Sequence, residues 1–198
     1  MEYGITFNVD EKGFSFANFK GVRGYLNQND CRELIRHAKS LPENALYAEI
    51  GSYFGCSAHL IASYSDAKVW AHDWWAEDET GVLCDPPSDV FHKFIENVKR
   101  NSFEERIIPV IGKSVDTIKT HEDQSLDLSF VDGDHTYDGA KTDFHNILPK
   151  MKKGGVILAH DCTPGSDCIR AITDFAVETG QTFEILPGTC GMGRIVVV

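Results

Sequence analysis

The stretch Leu126–Phe144, "LDLSFVDGDHTYDGAKTDF", decides the fold. Its first six residues, Leu126 to Val131, read as a buried strand, and the run stops on Asp132, Gly133, Asp134 and His135. A helix-like segment follows at once. An apolar run that gives way to ionisable groups and then to a helix is how an α/β sheet presents chemistry at the carboxyl ends of its strands.

Outward from this stretch, strands and helices alternate. Strands are predicted over 47–51, 68–73, 106–112, 126–133 and 154–161, with helices over 25–41, 56–65, 89–101, 137–151 and 166–180. In the first helix Leu26, Cys31, Leu34, Ile35 and Ala38 approximate helical spacing and Pro42 ends it. At the end, "TFEILPG" and "GRIVVV" flank a Gly-rich turn and predict an antiparallel hairpin. The pattern gives an α/β, Rossmann-like doubly wound sheet of seven strands, mostly parallel with a C-terminal antiparallel strand and helices on both faces. One domain over 1–198 is expected, with 1–23 as an N-terminal extension of a 24–198 core. Residues 74–89 break the alternation: Glu77, Asp78, Glu79, Asp85 and Asp89 with Gly81, Pro86 and Pro87 make a long acidic loop, read either as functional or as merely solvated.

Hydrophobic residues are 42% and charged residues 25%, without a long apolar run or a basic leader, so a soluble cytoplasmic protein without a membrane partner is expected. Lys and Arg number 19 against 30 Asp and Glu, a net charge of 19 − 30 = −11. That field repels phosphate backbones, so no nucleic-acid partner is expected, and the cluster Lys150, Lys152 and Lys153 is read as complementing a helix end. The six cysteines are scattered without a Cys-x-x-Cys pair and read as free thiols; a zinc site on Cys162 and Cys168 lacks partners.

"EIGSYFGCS" places Glu49, Gly51, Gly55 and Ser57 between the first core strand and its helix. Glycines there let the backbone turn tightly beside a ligand, and the helix N-terminus offers N–H groups. The motif is not Gly-x-Gly-x-x-Gly, because Tyr53 stands at the second glycine, and it lacks the Lys-Ser/Thr of a P-loop, so pyrophosphate is disfavoured. Asp73 ends the second strand, 73 − 49 = 24 residues after Glu49, where a carboxylate can accept from both ribose hydroxyls.

These residues resemble the class I S-adenosylmethionine-dependent methyltransferases, whose acid-x-Gly-x-x-x-Gly signature cradles the amino-acid part of the cofactor. The resemblance implies that Gly51 and Gly55 line the cofactor, Glu49 organises the loop and Asp73 binds ribose. "IGKS" corresponds to the adenine-contacting turn, placing Ser114 and Lys113 near the base; Trp74 either stacks there or packs in the core. With Ser57 and Asp132 these are the candidate cofactor residues.

"FVDGDHTYDGAKTDFHNILPKMKKGGVILAHDC" narrows the resemblance to the small-molecule O-methyltransferase branch gathered as the methyltransferase-24 family. Methyl transfer from a sulfonium to a hydroxyl needs that hydroxyl deprotonated and held in line with the S–CH3 bond, and an imidazole base or a bound divalent cation can provide this. By position, the resemblance implies His135 as base and Asp132 and Asp161 as metal ligands. His160 departs from it, standing where the metal-dependent members carry an acid. The metal set is then Asp132, His160 and Asp161 for magnesium or manganese, and either the metal differs from magnesium or none binds. Blander readings stand beside these: Asp132 as a turn cap before Thr136, Asp134 facing solvent, His135 and His160 as satisfied structural histidines, Tyr137 and His145 on the helix surface or in the core.

The sequence thus points to S-adenosylmethionine-dependent O-methylation of a hydroxyl on a small molecule, sugar or phenol-like. A homodimer is expected from the resemblance alone. The competing readings are a dehydrogenase using a dinucleotide and a non-catalytic binding module of the same fold.

Overall fold

The computed structural model describes residues 2–11, 13–75 and 87–198. The sequence reading assigns residues 1–23 no element, yet they carry most of an antiparallel meander of β1 (Ile5–Val9), β2 (Ser15–Phe19) and β3 (Val22–Gly24). β1 is concealed because only Ile5 is buried in it, so the alternation that announces a strand is missing. Ala17, Phe19 and Val22 join the same core as the following helices, which makes the meander part of the fold.

Helix α1 (Gln28–Ser40) begins three residues later than its apolar spacing suggests. Asn27 caps it, accepting from the amides of Asn29 and Asp30, while the Asp30 carboxylate accepts from the Asn27 amide in a capping box. The alternation predicted for the core then follows: β4 (Leu46–Ile50), α2 (Cys56–Tyr64), β5 (Lys68–Asp73), α3 (Pro87–Arg100), β6 (Ile107–Ile111), a short α4 (Ser114–Thr117), β7 (Leu126–Val131), α5 (Tyr137–Ile147), β8 (Met151–Ala159), α6 (Asp167–Thr179), β9 (Phe183–Ile185) and β10 (Gly193–Val196). α5 stops before its predicted end because Pro149 draws the chain into a 3-10 turn over Leu148–Lys150. Of the lysine cluster, Lys150 closes the 3-10 turn at the end of α5 and pairs with Asp123 at 2.6 Å, whereas Lys152 lies in β8 and pairs with Asp127 at 2.8 Å. Most of the acidic loop, 76–86, is outside the described residues; Asp89 belongs to the first turn of α3.

The seven-stranded sheet has the order β6-β5-β4-β7-β8-β10-β9, with β10 antiparallel to both neighbours. Alternate residues feed two cores. Tyr47, Leu128, Phe130 and Leu158 face α1, α2, α3 and the meander, while Ala48, Ile50, Val131, Ile157 and Ala159 face α5 and α6. Among the described residues no helix is long and apolar enough to cross a membrane.

The register positions the site. Ile50 is level with His72 and with Val131, and Val131 with Ala159. Three more backbone bonds carry the ladders one residue further, from Gly51 to the His72 carbonyl, Asp132 to Ile50 and His160 to Val131, each at 2.9 Å. Gly51, Asp132 and His160 therefore leave neighbouring strands at one level. The strand order reverses between β4 and β7, and the crevice beyond that reversal is where open α/β sheets bind ligands.

Candidate active site

The turn after β4 is built for close approach. Gly51 has φ +88°, and a Cβ there would lie 2.0 Å from the carbonyl oxygen of Asp132. Gly55, at φ +89°, starts α2. Tyr53 takes a left-handed conformation, φ 49°, without being glycine, and its amide donates to Asp73 Oδ2 at 2.8 Å. The other Asp73 oxygen accepts from the Trp75 amide at 2.8 Å. Burial raises the Asp73 carboxyl, against these amide bonds. Asp73 thus ties the end of β5 to the glycine turn.

Glu49 lies wholly beneath the turn, where its Oε2 accepts from the Tyr47 hydroxyl at 2.8 Å. Burial pushes its carboxyl up to about 7, opposed by the hydroxyls of Ser57, Ser52 and Tyr47. Glu49 and Ser57 accordingly support the loop from inside. On the base side, Trp74 is 48% exposed and Lys113 Nζ stands 4.5 Å from its ring centroid, so the core-packing alternative for Trp74 fails. The buried indole is its neighbour Trp75, packed on Phe91 and Phe94. The Ser114 hydroxyl donates to Asp143 Oδ1 at 2.5 Å.

At the reacting turn, Asp132 Oδ1 is 3.5 Å from His135 Nε2 and 3.3 Å from His160 Nδ1. Asp161 approaches the same two rings at 3.5 Å, Oδ2 toward His135 Nε2 and Oδ1 toward His160 Nδ1. Burial acts to raise the Asp132 carboxyl, but the facing imidazoles outweigh it and hold it down at about 2. His135 is raised, chiefly by its hydrogen bond with Asp132, and His160 is raised well above its usual value because its carboxylate neighbours overcome the effect of burial. His135 is 57% exposed, whereas His160 is buried. Asp161 sits at φ 54°, its carbonyl accepting from the Ser166 hydroxyl and the Thr163 amide. Gly191 presses on the adjoining Cys162 backbone so closely that a Cβ would lie 2.6 Å away.

The cap of α5 is Thr136, accepting from the Gly139 amide, and Asp134 folds over the same turn onto the Thr136 amide at 2.8 Å. Asp132 is therefore not the cap, and Asp134 does not join the cluster. Tyr137 and His145 bond Asp174 and Glu178 across the α5–α6 surface. Cys162 and Cys168 are buried free thiols. Two acids escaped the sequence reading. Asp30 of α1, with no exposure, reaches His160 Nε2 at 3.4 Å, and Asp143 sits buried behind the Asp132–His135 turn. Asp30 carries one legible signal, its place three residues after Asn27 before an apolar run.

A seven-stranded sheet of this order, with an acid-and-glycine turn at its switch point, is the fold of the class I S-adenosylmethionine-dependent methyltransferases. A family model described as a methyltransferase domain, methyltransferase-24, matches residues 48–162, and the chain belongs to that family. A stretch of 123 residues is 33% identical to an uncharacterized protein, R132, of Acanthamoeba polyphaga mimivirus, covering 60% of this chain and 52% of the relative. Another relative, the uncharacterized protein y4gI of Sinorhizobium fredii, is 30% identical over 119 residues, covering 57% of this chain and 12% of that protein. The chain thus spans about half or less of the length of these curated relatives. Among solved structures, a protein described as a putative caffeoyl-CoA O-methyltransferase from Staphylococcus aureus superposes with a TM-score of 0.62 at 18% identity, covering 84% of this chain and 80% of that one. A putative S-adenosylmethionine-dependent methyltransferase from Methanococcus maripaludis gives 0.61 at 16%, covering 86% and 92%.

Proposed function

We propose that this chain transfers the methyl group of S-adenosylmethionine to the hydroxyl oxygen of a small molecule, sugar or phenol-like, with His135 as the base and a divalent cation assisting. The observation that carries the reading is the placement of His135: a half-exposed imidazole whose Nε2 stands 3.5 Å from both Asp132 and Asp161, at the crevice beside Gly51. The acceptor hydroxyl gives its proton to Nε2 as the oxygen attacks the methyl carbon. S-adenosylmethionine, when bound, would supply the methyl group and keep the C–S electron pair on sulfur, while the two carboxylates would stabilise the imidazolium that results. Asp73 would hold the ribose, and Trp74 with Ser114 would border the base.

The donor chemistry of the cluster fits a cation. Ligand atoms of Asp132, His135 and Asp161 lie within 4.8 Å of one another, and His160 Nδ1 faces the same two carboxylates. Asp132, Asp161 and His160 would hold the ion and leave His135 free for the proton. When bound, such an ion lowers the acceptor hydroxyl's pKa and fixes its direction.

The test is calorimetric titration of the purified chain with S-adenosylhomocysteine, with NAD in parallel. Micromolar binding of the first alone is expected. Preference for NAD would replace the reading with a dehydrogenase, and no binding of either would make the fold a module without this cofactor.

A further inference from the structure

Resting on the metal-assisted reading above, we propose that Asp30 is a positioning residue that orients His160 as a nitrogen ligand. It would thereby set the site's preference for a divalent cation that accepts an imidazole ligand, such as manganese, over magnesium.

Asp30 has no exposure and His160 has 5%. Both Asp30 oxygens are already anchored by backbone: Oδ1 accepts from the Cys190 amide at 2.9 Å and Oδ2 from the Asn27 amide at 2.7 Å. The carboxylate therefore cannot swing away. Oδ2 also lies 3.4 Å from His160 Nε2, at ion-pair range. The imidazole is further confined by Phe130, whose ring meets it in a T-shaped contact at 5.8 Å.

This arrangement assigns the two ring nitrogens. Nε2 faces the anchored Asp30, while Nδ1 faces Asp132 Oδ1 at 3.3 Å and Asp161 Oδ1 at 3.5 Å; a cation held by those two carboxylates would take the Nδ1 lone pair and leave the ring hydrogen on Nε2, toward Asp30. Carboxylate, imidazole and cation in line is a recurrent way of orienting a histidine ligand and raising its basicity. Magnesium prefers oxygen donors, whereas manganese, iron and zinc accept imidazole.

A capping-box acid does not need this position. An acid three residues into a helix normally caps it from the surface, and full burial carries a desolvation cost that an imidazole partner offsets. The burial of Asp30 against His160 is therefore what distinguishes a ligand-orienting role from simple capping.

The experiment is calorimetric titration of the full chain with manganese chloride and with magnesium chloride, for the unaltered protein, Asp30→Asn and His160→Asp, with folding checked by circular dichroism. The unaltered protein should bind manganese at least about tenfold more tightly than magnesium. Asp30→Asn should weaken manganese binding by roughly 10- to 100-fold, the usual effect of removing such a partner, and His160→Asp should move the preference toward magnesium. Manganese binding unchanged in a folded Asp30→Asn protein overturns the proposal. So does an unchanged preference in His160→Asp, which serves alone if Asp30→Asn does not fold. Absence of binding by either cation also overturns it, together with the metal half of the proposed function. The cofactor titration judges methyl transfer separately.

Discussion

The carbonyl oxygen of Asp132 stands 2.0 Å from where a Cβ on Gly51 would be, so the glycine turn after β4 and the Asp132–His135 turn meet through backbone. Gly51→Ala must push two main chains apart and also adopt φ +88°. Overpacking and a left-handed alanine together predict a loss of about 2 kcal/mol or more in urea unfolding. Weakened S-adenosylhomocysteine binding should accompany it. A variant as stable as the parent, with equal affinity, would show that the turns separate freely.

Asp73 accepts amide hydrogens from Tyr53 and Trp75 at the end of β5. Asp73→Ala should weaken S-adenosylhomocysteine binding by roughly 1.5 to 3 kcal/mol, about ten- to 150-fold, the usual worth of hydrogen bonds to a charged acceptor. Asp73→Asn should fall between. Full affinity in a folded Asp73→Ala protein removes Asp73 from the ribose.

His135 is exposed and packs into neither core cluster, so its removal should spare the fold. His135→Ala should lower turnover by roughly 10² to 10⁴, the range for losing a general base, with S-adenosylhomocysteine affinity within about twofold. Unchanged turnover would assign proton removal elsewhere.

Behind the sheet's carboxyl edge, His72 Nε2 and His121 Nε2 are 2.8 Å apart, and the bond requires one ring to donate and the other to accept. Burial, then the neighbouring His121, pushes His72 down to about 3 from 6.5. Between these values the unfolded chain binds the proton and the folded chain does not. The stability is therefore fully present above pH 6.5 and is lost as pH falls toward 3. At roughly 1.4 kcal/mol per unit, the loss by about pH 4.5 is on the order of 2 to 3 kcal/mol. Glu49 and Asp143, pushed up by burial to about 7 and 6, act in the opposite sense, so the measurement is a difference. Urea unfolding of the parent and of His72→Gln, each at about pH 7.5 and pH 4.5, should show the steeper acid loss in the parent. Equal slopes would dismiss the pair as a source of pH dependence.

The core alternation was legible because β4, β7 and the latter part of β8 are buried on both faces, and each strand from Leu46 to Ala159 ends on or just before a polar residue or glycine. Asp132, His135, Asp161 and His160 were legible for the same reason: they sit where apolar runs stop. The meander was not, since Phe7 and Val9 are exposed and β1 shows no alternation. Asp30 and Asp143 were hidden because both sit inside helices, where an acid reads as surface, and only tertiary packing turns them inward. Trp74 and Trp75 are adjacent with opposite fates, and no local pattern tells which indole is drawn under α3.

The bond from the Cys190 amide to Asp30 joins positions 160 apart in the chain, and Gly191 bears on the turn that holds Asp161. During synthesis the glycine turn and Asp73 can form long before the reacting turn has its backing. A nascent chain would therefore hold the glycine turn and Asp73 while the Asp132–His160 cluster still lacked the late segment around Cys190 and Gly191 that backs it.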